Sequence, residues 1–195
     1  MFPQNPYDLR SERGLSQSHY PHRFSAAGVY DLPFGKWTKN EVASYLIGGW
    51  QLSSIVTLQS GDQVLITQPT NTAQTFSRQF RPNLIGNPIL PEGERTLLRW
   101  FNTAAFAAPA PLTYGTSSKT PNIQGPGLAT VDLSLIRSFK LPREGMKFEL
   151  RGDFFNSFNR VNFNVPSGAF GTPNFGRVTS ARLPRTLQLG AKFWF

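Results

Sequence analysis

The stretch Thr186-Leu-Gln-Leu-Gly-Ala-Lys-Phe-Trp-Phe195 decides the fold. Successive side chains of a strand point to opposite faces, so Leu187, Leu189, Ala191, Phe193 and Phe195 share one side. Gln188, Gly190, Lys192 and Trp194 take the other. One face suits lipid and the other water. The termini of soluble domains fray unless something holds them, and a Phe-Trp-Phe ending is an unusual way to finish a segment bathed in water. The strand belongs either to the wall of a membrane barrel or to the core of a soluble β-sandwich.

Working back from this tail, four more segments alternate with period two. His22 to Asp31 sets Phe24, Ala26, Gly28 and Tyr30 against Arg23, Ser25, Ala27, Val29 and Asp31. Leu46 to Gln59 opposes Trp50, Leu52, Val56 and Leu58 to Gln51, Ser53, Thr57 and Gln59, with Ser54 and Ile55 each breaking the pattern once. Thr130 to Phe139 places Val131, Leu133, Leu135 and Phe139 against Thr130, Asp132, Ser134 and Ser138. Met146 to Asn156 places Phe148, Leu150 and Phe154 against Lys147, Glu149, Arg151 and Asp153.

The connections alternate in length. Lys140-Leu-Pro-Arg-Glu-Gly145 is a short turn with Pro and Gly in turn-making positions, whereas 60–129 and 157–185 are long and rich in Pro, Gly, Asn and Thr. Loops of that length are uncommon in compact soluble domains, but short periplasmic turns and long extracellular loops are the rule in membrane barrels. With the carboxy-terminus in the periplasm, 157–185 and 60–129 fall outside the cell and 140–145 and 32–45 face the periplasm. Phe154, Phe155 and Phe158 then lie near the outer interface, and Phe193, Trp194 and Phe195 near the inner one.

Composition agrees. The 195 residues include 17 Gly, 16 Pro and 17 Phe, the punctuation of an all-β chain with long loops and no helical domain. No run of 18 apolar residues occurs, so a spanning helix is excluded, while barrel strands need only about 9–11 residues with apolar side chains at alternate positions. Cysteine is absent, which removes disulfides, thiolate catalysis and Cys-based zinc sites. The net charge of +9 raises nucleic acid as a partner, but no run of Lys or Arg exceeds one residue, and nucleic-acid binding is not expected. Met1 to Arg13 shows neither a basic start followed by an apolar core nor a small-residue cleavage site. An exported protein normally carries such a leader, so the chain is expected to be the tail of a longer one. Five strands also fall short of closure: single-chain bacterial barrels start at about eight, and an open edge in lipid leaves backbone groups unpaired at several kcal/mol each.

Several stretches are familiar as a set: Arg23-Phe-Ser-Ala-Ala-Gly-Val-Tyr-Asp-Leu-Pro-Phe-Gly35, Gly48-Gly-Trp-Gln-Leu52 with Gln59-Ser-Gly61, Trp100-Phe-Asn-Thr-Ala-Ala-Phe106, Gly125-Pro-Gly-Leu-Ala-Thr-Val-Asp-Leu-Ser134, Phe154-Phe-Asn-Ser-Phe-Asn159 and Phe170-Gly-Thr-Pro-Asn-Phe-Gly-Arg177. In this order they resemble the carboxy-terminal barrel of TonB-dependent outer-membrane receptors, closest to the Oar-like group whose members often begin with a carboxypeptidase-regulatory-like domain. The final strand likewise resembles the carboxy-terminal assembly signal of outer-membrane barrels, carried by Leu187, Leu189, Ala191, Phe193 and Phe195. The resemblance implies a place in an all-β, antiparallel barrel of about 22 strands, in the bacterial outer membrane, that imports a bulky ligand with energy passed on by TonB. It implies as partners outer-membrane lipid, the barrel-assembly machinery, the remainder of the barrel and its plug, and TonB through an amino-terminal region that this sequence lacks. A segment of five strands is not expected to transport on its own. Residues 22–195 are assigned to the barrel, and 1–21 to a poorly defined loop or partial strand. The alternative is a soluble secreted β-sandwich that binds carbohydrate or mediates adhesion.

The chemistry-bearing residues are few. Glu149 and Asp153 share a strand face, as the paired carboxylates of a general acid and base do, but Lys147 and Arg151 alternate with them, and the four read better as a ladder of alternating charge on a water-filled lumen. His19 and His22 stand three apart in a Pro-containing segment without a nearby set of metal ligands. No nucleophile elbow, phosphate loop or dinucleotide fingerprint occurs. No catalytic residue, metal or cofactor is expected, and the chain is not expected to be an enzyme. The segment 157–185 carries Arg160, Arg177, Arg182 and Arg185 and no acidic residue, so its charge either is solvated or faces anionic lipopolysaccharide. Phe170 and Phe175 either line a ligand vestibule or pack the loop on itself.

Overall fold

A computed structural model describes residues 3–37, 40–77, 79–141 and 145–195. The chain divides into two compact units. One holds the regular strands and consists of residues 23–59, 128–161 and 183–195; the other gathers the described residues of 1–22, 60–127 and 162–182.

The strand unit is one antiparallel sheet. β1 (Arg23–Asp31) pairs with β2 (Trp50–Gln59); β3 (Asn83–Leu84) and β4 (Phe106–Ala107) are a two-residue pair of the other unit; β5 (Leu128–Lys140), β6 (Lys147–Phe155) and β7 (Thr186–Trp194) complete the sheet in the order β1-β2-β5-β6-β7. Each strand therefore lies beside its predecessor in the sheet, the up-and-down arrangement of a barrel wall. The register is continuous: Tyr30 faces Leu52, Leu52 faces Leu135, Leu133 faces Phe154 and Phe154 faces Leu187. Because every strand keeps its period, most apolar residues of the five share one side and most polar residues the other, with Val29 and Ile136 on the polar side and Arg137 on the apolar one. Two interruptions foreseen in β2 take their places in this pattern, Ser54 on the apolar side opposite Gly28 and Ile55 on the polar side opposite Asp132.

The expected strand starting at Leu46 begins instead at Trp50. Glu41–Ile47 forms the short helix α1, whose N-cap Asn40 accepts hydrogen bonds from the N–H groups of Val42 and Ala43. An Asn cap satisfies donors that the first helical turn leaves free, and Gly49, at φ +74°, then turns the chain into β2. In the turn after β5, Pro142, Arg143 and Glu144 lie outside the described residues.

The second unit is built mostly of irregular backbone around a small core. Val64, Ile66, Phe101, Ala105, Phe106 and Ile123 are buried together, with Trp100, Val165, Phe170 and Phe175 against them. Segments 63–68 and 119–124 run side by side, Val64 N–H donating to Ile123 O at 2.8 Å and Ile66 N–H to Lys119 O at 2.9 Å. Thr67 N–H donates to Gly168 O, and Phe170 N–H returns to Thr67 O. The approach is so close at Gly168 that a Cβ there would stand 1.9 Å from the Leu65 carbonyl oxygen, so only glycine fits. The long connections are thus folded, with their own apolar interior. Residues 1–21 show a 3-10 turn at Leu9–Glu12 and no strand among those described.

Candidate functional site

The polar side of the sheet is organised around β6. Lys147, Glu149, Arg151 and Asp153 occupy its alternate positions, flanked by Lys140, Ser138, Ile136 and Ser134 of β5 and by Trp194, Lys192, Gly190 and Gln188 of β7. Arg151 Nε donates to both Asp153 carboxylate oxygens, at 2.9 and 2.8 Å, and Ser134 Oγ donates to Asp153 Oδ1. Ser138 Oγ donates to Glu149 Oε2 at 3.2 Å, and Glu149 stands in register with Lys192. Asp153 is buried while the Arg151 side chain stays half-exposed. The four residues therefore share a face, but the pairing is local: Arg151 with Asp153 along the strand, Glu149 with its neighbours across it. Lys147 lies opposite Lys140, a like-charge pair that costs stability. The Trp194 ring offsets this by lying 5.9 Å from the Lys147 ammonium and 4.5 Å from that of Lys192. Such a wall presents fixed charges of both signs to water along one line.

The apolar side continues through the terminal strand. Leu187, Leu189, Ala191 and Phe193 stand in register with Phe154, Gly152, Leu150 and Phe148. Phe195 lies past the end of β7, fully exposed, with its ring centroid 6.2 Å from that of Phe193. Leu189 is 76 % exposed and Phe24 on β1 57 %, values that leave the face open at both edge strands. Of the aromatics expected near the two ends, Phe154 and Phe193 lie on this face, whereas Phe155 and Trp194 alternate to the polar one. No described strand pairs with the outer edge of β1 or of β7.

At one end of β6 the Phe154-Phe-Asn-Ser-Phe-Asn159 motif is a closed turn. Asn156 adopts φ +49°; its Nδ2 donates to Arg160 O at 2.9 Å and its Oδ1 accepts the Arg160 N–H at 3.0 Å. Asn159, at φ +51°, accepts the Arg185 N–H on Oδ1. Both asparagines sit where a short polar side chain is favoured in the left-handed region, so the motif is a strand-ending device.

In the other unit, Trp100-Phe-Asn-Thr-Ala-Ala-Phe106 supplies the core: Phe101 is wholly buried, and Trp100 Nε1 donates to Gln124 O at 2.8 Å. Phe175 meets Phe101, Phe106 and Phe170 edge-on at centroid separations of 5.2, 5.5 and 5.4 Å. Of the two readings of Phe170 and Phe175, packing of the loop on itself is the one observed. Arg182 is paired with Asp62 at 3.3 Å.

The amino-terminal segment is tied in by polar contacts that sequence reasoning missed. Arg81, 3 % exposed, donates from Nη1 and Nη2 to the two carboxylate oxygens of Glu12 at 2.8 and 2.7 Å. Gln4 accepts the Arg81 N–H and donates to Gly115 O at 2.9 Å. Burial pushes the Glu12 carboxyl up, but the hydrogen bonds from Arg81 and the Gln4 N–H, with the charges of Arg81 and Lys119, hold it below its ordinary value. Nothing in the spacing of Gln4, Glu12 and Arg81 announces the cluster. Near it Pro3, Pro6, Tyr7, Thr75, Phe76 and Tyr114 line a surface cavity of about 630 Å³. His19 and His22 take part through their backbone, and no group of three or more His, Cys, Asp or Glu side chains converges among the described residues.

Arg137 was also missed. It falls at an apolar position of β5, opposite Trp50 and Leu150. The sequence signal was there, as a charged residue out of phase with the alternation that precedes it.

The family model of the outer membrane beta barrel domain matches residues 1–188. No curated protein and no solved structure matches significantly.

Proposed function

The chain belongs to the outer membrane beta barrel domain family, and from that membership we propose that its five strands are a wall segment of a TonB-dependent receptor of the Oar-like group. The protein resides in the bacterial outer membrane. The observation that carries the proposal is the continuous two-sided register. Across five strands one side gathers the apolar residues, with Phe24, Leu187 and Leu189 of the edge strands exposed on it, while the other bears Lys147, Glu149, Arg151 and Asp153, and neither sheet edge is paired among the described residues.

Lipid cannot satisfy a free strand edge, so in a membrane both edges require further strands. The receptor reading supplies them as the remainder of a larger barrel. In it, the charge ladder lines the lumen beside the plug, the connections gathered in the second unit are extracellular, and the terminal strand is read by the barrel-assembly machinery. Ligand uptake is a property of the whole assembly, with TonB engaged through its amino-terminal region. A β-sandwich would cover the apolar side with a second sheet. The sole other sheet among the described residues is the two-residue pair β3–β4, and it belongs to the other unit.

The test is site-specific photocrosslinking in living cells between the intact protein and TonB. An adduct that disappears when the TonB-contacting segment is removed supports the receptor reading. A protein that reaches the outer membrane, folds, and never crosslinks would remove that reading and leave a barrel of another kind.

A further inference from the structure

Helix α1 rests against the apolar side of the sheet. Arg137 and Phe139 of β5 belong to that side, with Trp50 of β2 opposite Arg137. Arg137 Nη2 donates to the Tyr45 carbonyl oxygen, and its guanidinium stands 4.2 Å from the Phe139 ring and 5.7 Å from that of Trp50. Tyr45 sets its own ring edge-on to Phe139 at 6.2 Å and donates its hydroxyl to Lys140 O at 2.5 Å. Arg137 is buried in this junction, where it fastens the helix to the strand. The connection from β1 to β2 therefore folds back over the strand ends on the side that a barrel presents to lipid.

Another face of α1 is taken by the 3-10 segment Pro33–Trp37. Ser44 Oγ donates to Gly35 O at 2.9 Å, and a Cβ on Gly48 would stand 2.8 Å from Gly35 Cα, so the two pieces meet backbone to backbone. Val42 and Tyr45, three apart and so on one helical face, remain 68 % and 50 % exposed, and Trp37 is 73 % exposed. Scattered apolar residues on a surface need no explanation, but these three share one short connection laid against a lipid-facing wall. Trp50, Phe139, Phe148 and Phe193 lie on that wall at the same strand ends. Trp and Tyr gather at the height of lipid headgroups, which accommodate an apolar ring and its polar tip together.

We propose that α1 and the 3-10 segment before it are an interfacial anchor, lying at the headgroup level of the periplasmic leaflet with Trp37, Val42 and Tyr45 in contact with phospholipid. The inference rests on the barrel reading given above, in which this end of the sheet faces the periplasm. Seven residues are too few for a helix to persist alone. The hydrogen bonds of Arg137 to Tyr45 and of Ser44 to Gly35 keep it formed against the wall.

The test is the depth of single bimane labels in the intact protein, reconstituted into vesicles of phosphatidylcholine and phosphatidylglycerol. The chain has no cysteine of its own, so Trp37→Cys, Val42→Cys, Leu189→Cys on the apolar side of β7 and Gln188→Cys on its polar side each place one label. Heat-modifiable electrophoretic mobility establishes that each variant is folded, and either Trp37→Cys or Val42→Cys suffices. Each label is quenched in turn by lipid spin-labelled at the headgroup, by lipid spin-labelled deep in the acyl chain, and by aqueous iodide. The Trp37→Cys and Val42→Cys labels are expected about 5–10 Å below the membrane surface, answering the headgroup probe and shielded from iodide. The Leu189→Cys label should answer the deep probe, and the Gln188→Cys label iodide. Iodide access in the anchor variants equal to that of Gln188→Cys, with Leu189→Cys still quenched from the acyl chains, overturns the anchor and leaves the barrel wall standing. Shielding of the anchor labels from iodide and lipid alike also overturns it, by showing that protein covers them. Loss of lipid quenching in Leu189→Cys would sink the barrel reading, and the anchor with it. Reaction of Val42→Cys in intact cells with a maleimide too large for porins would put the connection outside the cell and overturn the choice of leaflet.

Discussion

Asp132 of β5 accepts the backbone N–H of Asn156 at 2.8 Å, one residue beyond the end of β6. Ser157 N–H donates to Val131 O in the same region, so the turn is fastened to the neighbouring strand as well as to itself. Asn156→Ala removes two buried side-chain hydrogen bonds to Arg160 and puts a Cβ-bearing residue without compensation at φ +49°. A loss of about 2–3 kcal/mol is expected. Asn156→Gly relieves the backbone and should recover about 1 kcal/mol of it. Urea titration of the folded form in detergent micelles, read by electrophoretic mobility, ranks the three proteins.

Adjacent residues of β7 should answer the same substitution in opposite ways. Leu189 lies on the apolar side and Gln188 on the polar one. Leu189→Arg is expected to cost about 2–4 kcal/mol in a bilayer, the penalty of a cation on a lipid-facing wall. Gln188→Arg, beside Asp153, should be near neutral. Folding yields into vesicles give both numbers, and equal costs would contradict the assignment of faces.

Glu12 confers a pH dependence on the second unit. Its carboxyl is held below the ordinary value in the folded protein, so the folded state binds that proton less tightly than the unfolded chain does. The stabilisation is complete at neutral pH and is lost as the pH falls below the ordinary Glu range of about 4.3 and through the depressed folded value. Hydrogen exchange at the Gln4 and Arg81 amides should accelerate over that interval. Glu12→Gln should make exchange fast already at neutral pH, because Arg81 is then left buried and unpaired.

Gly168→Ala drives a methyl group into the Leu65 carbonyl, 1.9 Å from where it would sit. Backbone must move to admit it, at a cost of about 2 kcal/mol or more. Exchange protection should drop at Thr67 and Phe170, whose N–H groups bond across this junction, and should be unchanged in β1 and β7.

How far the fold was legible depended on which solvent each segment faces. The five strands were readable to within a few residues because a wall with one apolar side writes period two into every strand, as Val131, Leu133 and Leu135 show. Helix α1 was not, since seven residues are too few to establish a helical repeat and Leu46 and Ile47 run on into an apolar stretch. The interior of the second unit was invisible for a different reason. Val64, Phe101, Phe106, Ile123 and Phe175 meet through irregular backbone, which imposes no spacing. The charge ladder could be listed from the sequence, but the role of Ser134 as partner to Asp153 needed the register between β5 and β6. Arg137 was passed over because its neighbours made the strand obvious.

Phe175 completes a cluster with Phe101 and Phe106, and the segments between them in the chain contain all of β5 and β6. The second unit is therefore a late event in folding. Its contacts are of very high sequence separation, which slows formation because the entropy of closing long loops is spent before those contacts can repay it. Until Phe175 joins it, the aromatic segment around 101–106 stays without its partner. The rate at which Trp100 becomes shielded should therefore lag behind the rate at which the sheet acquires its strands.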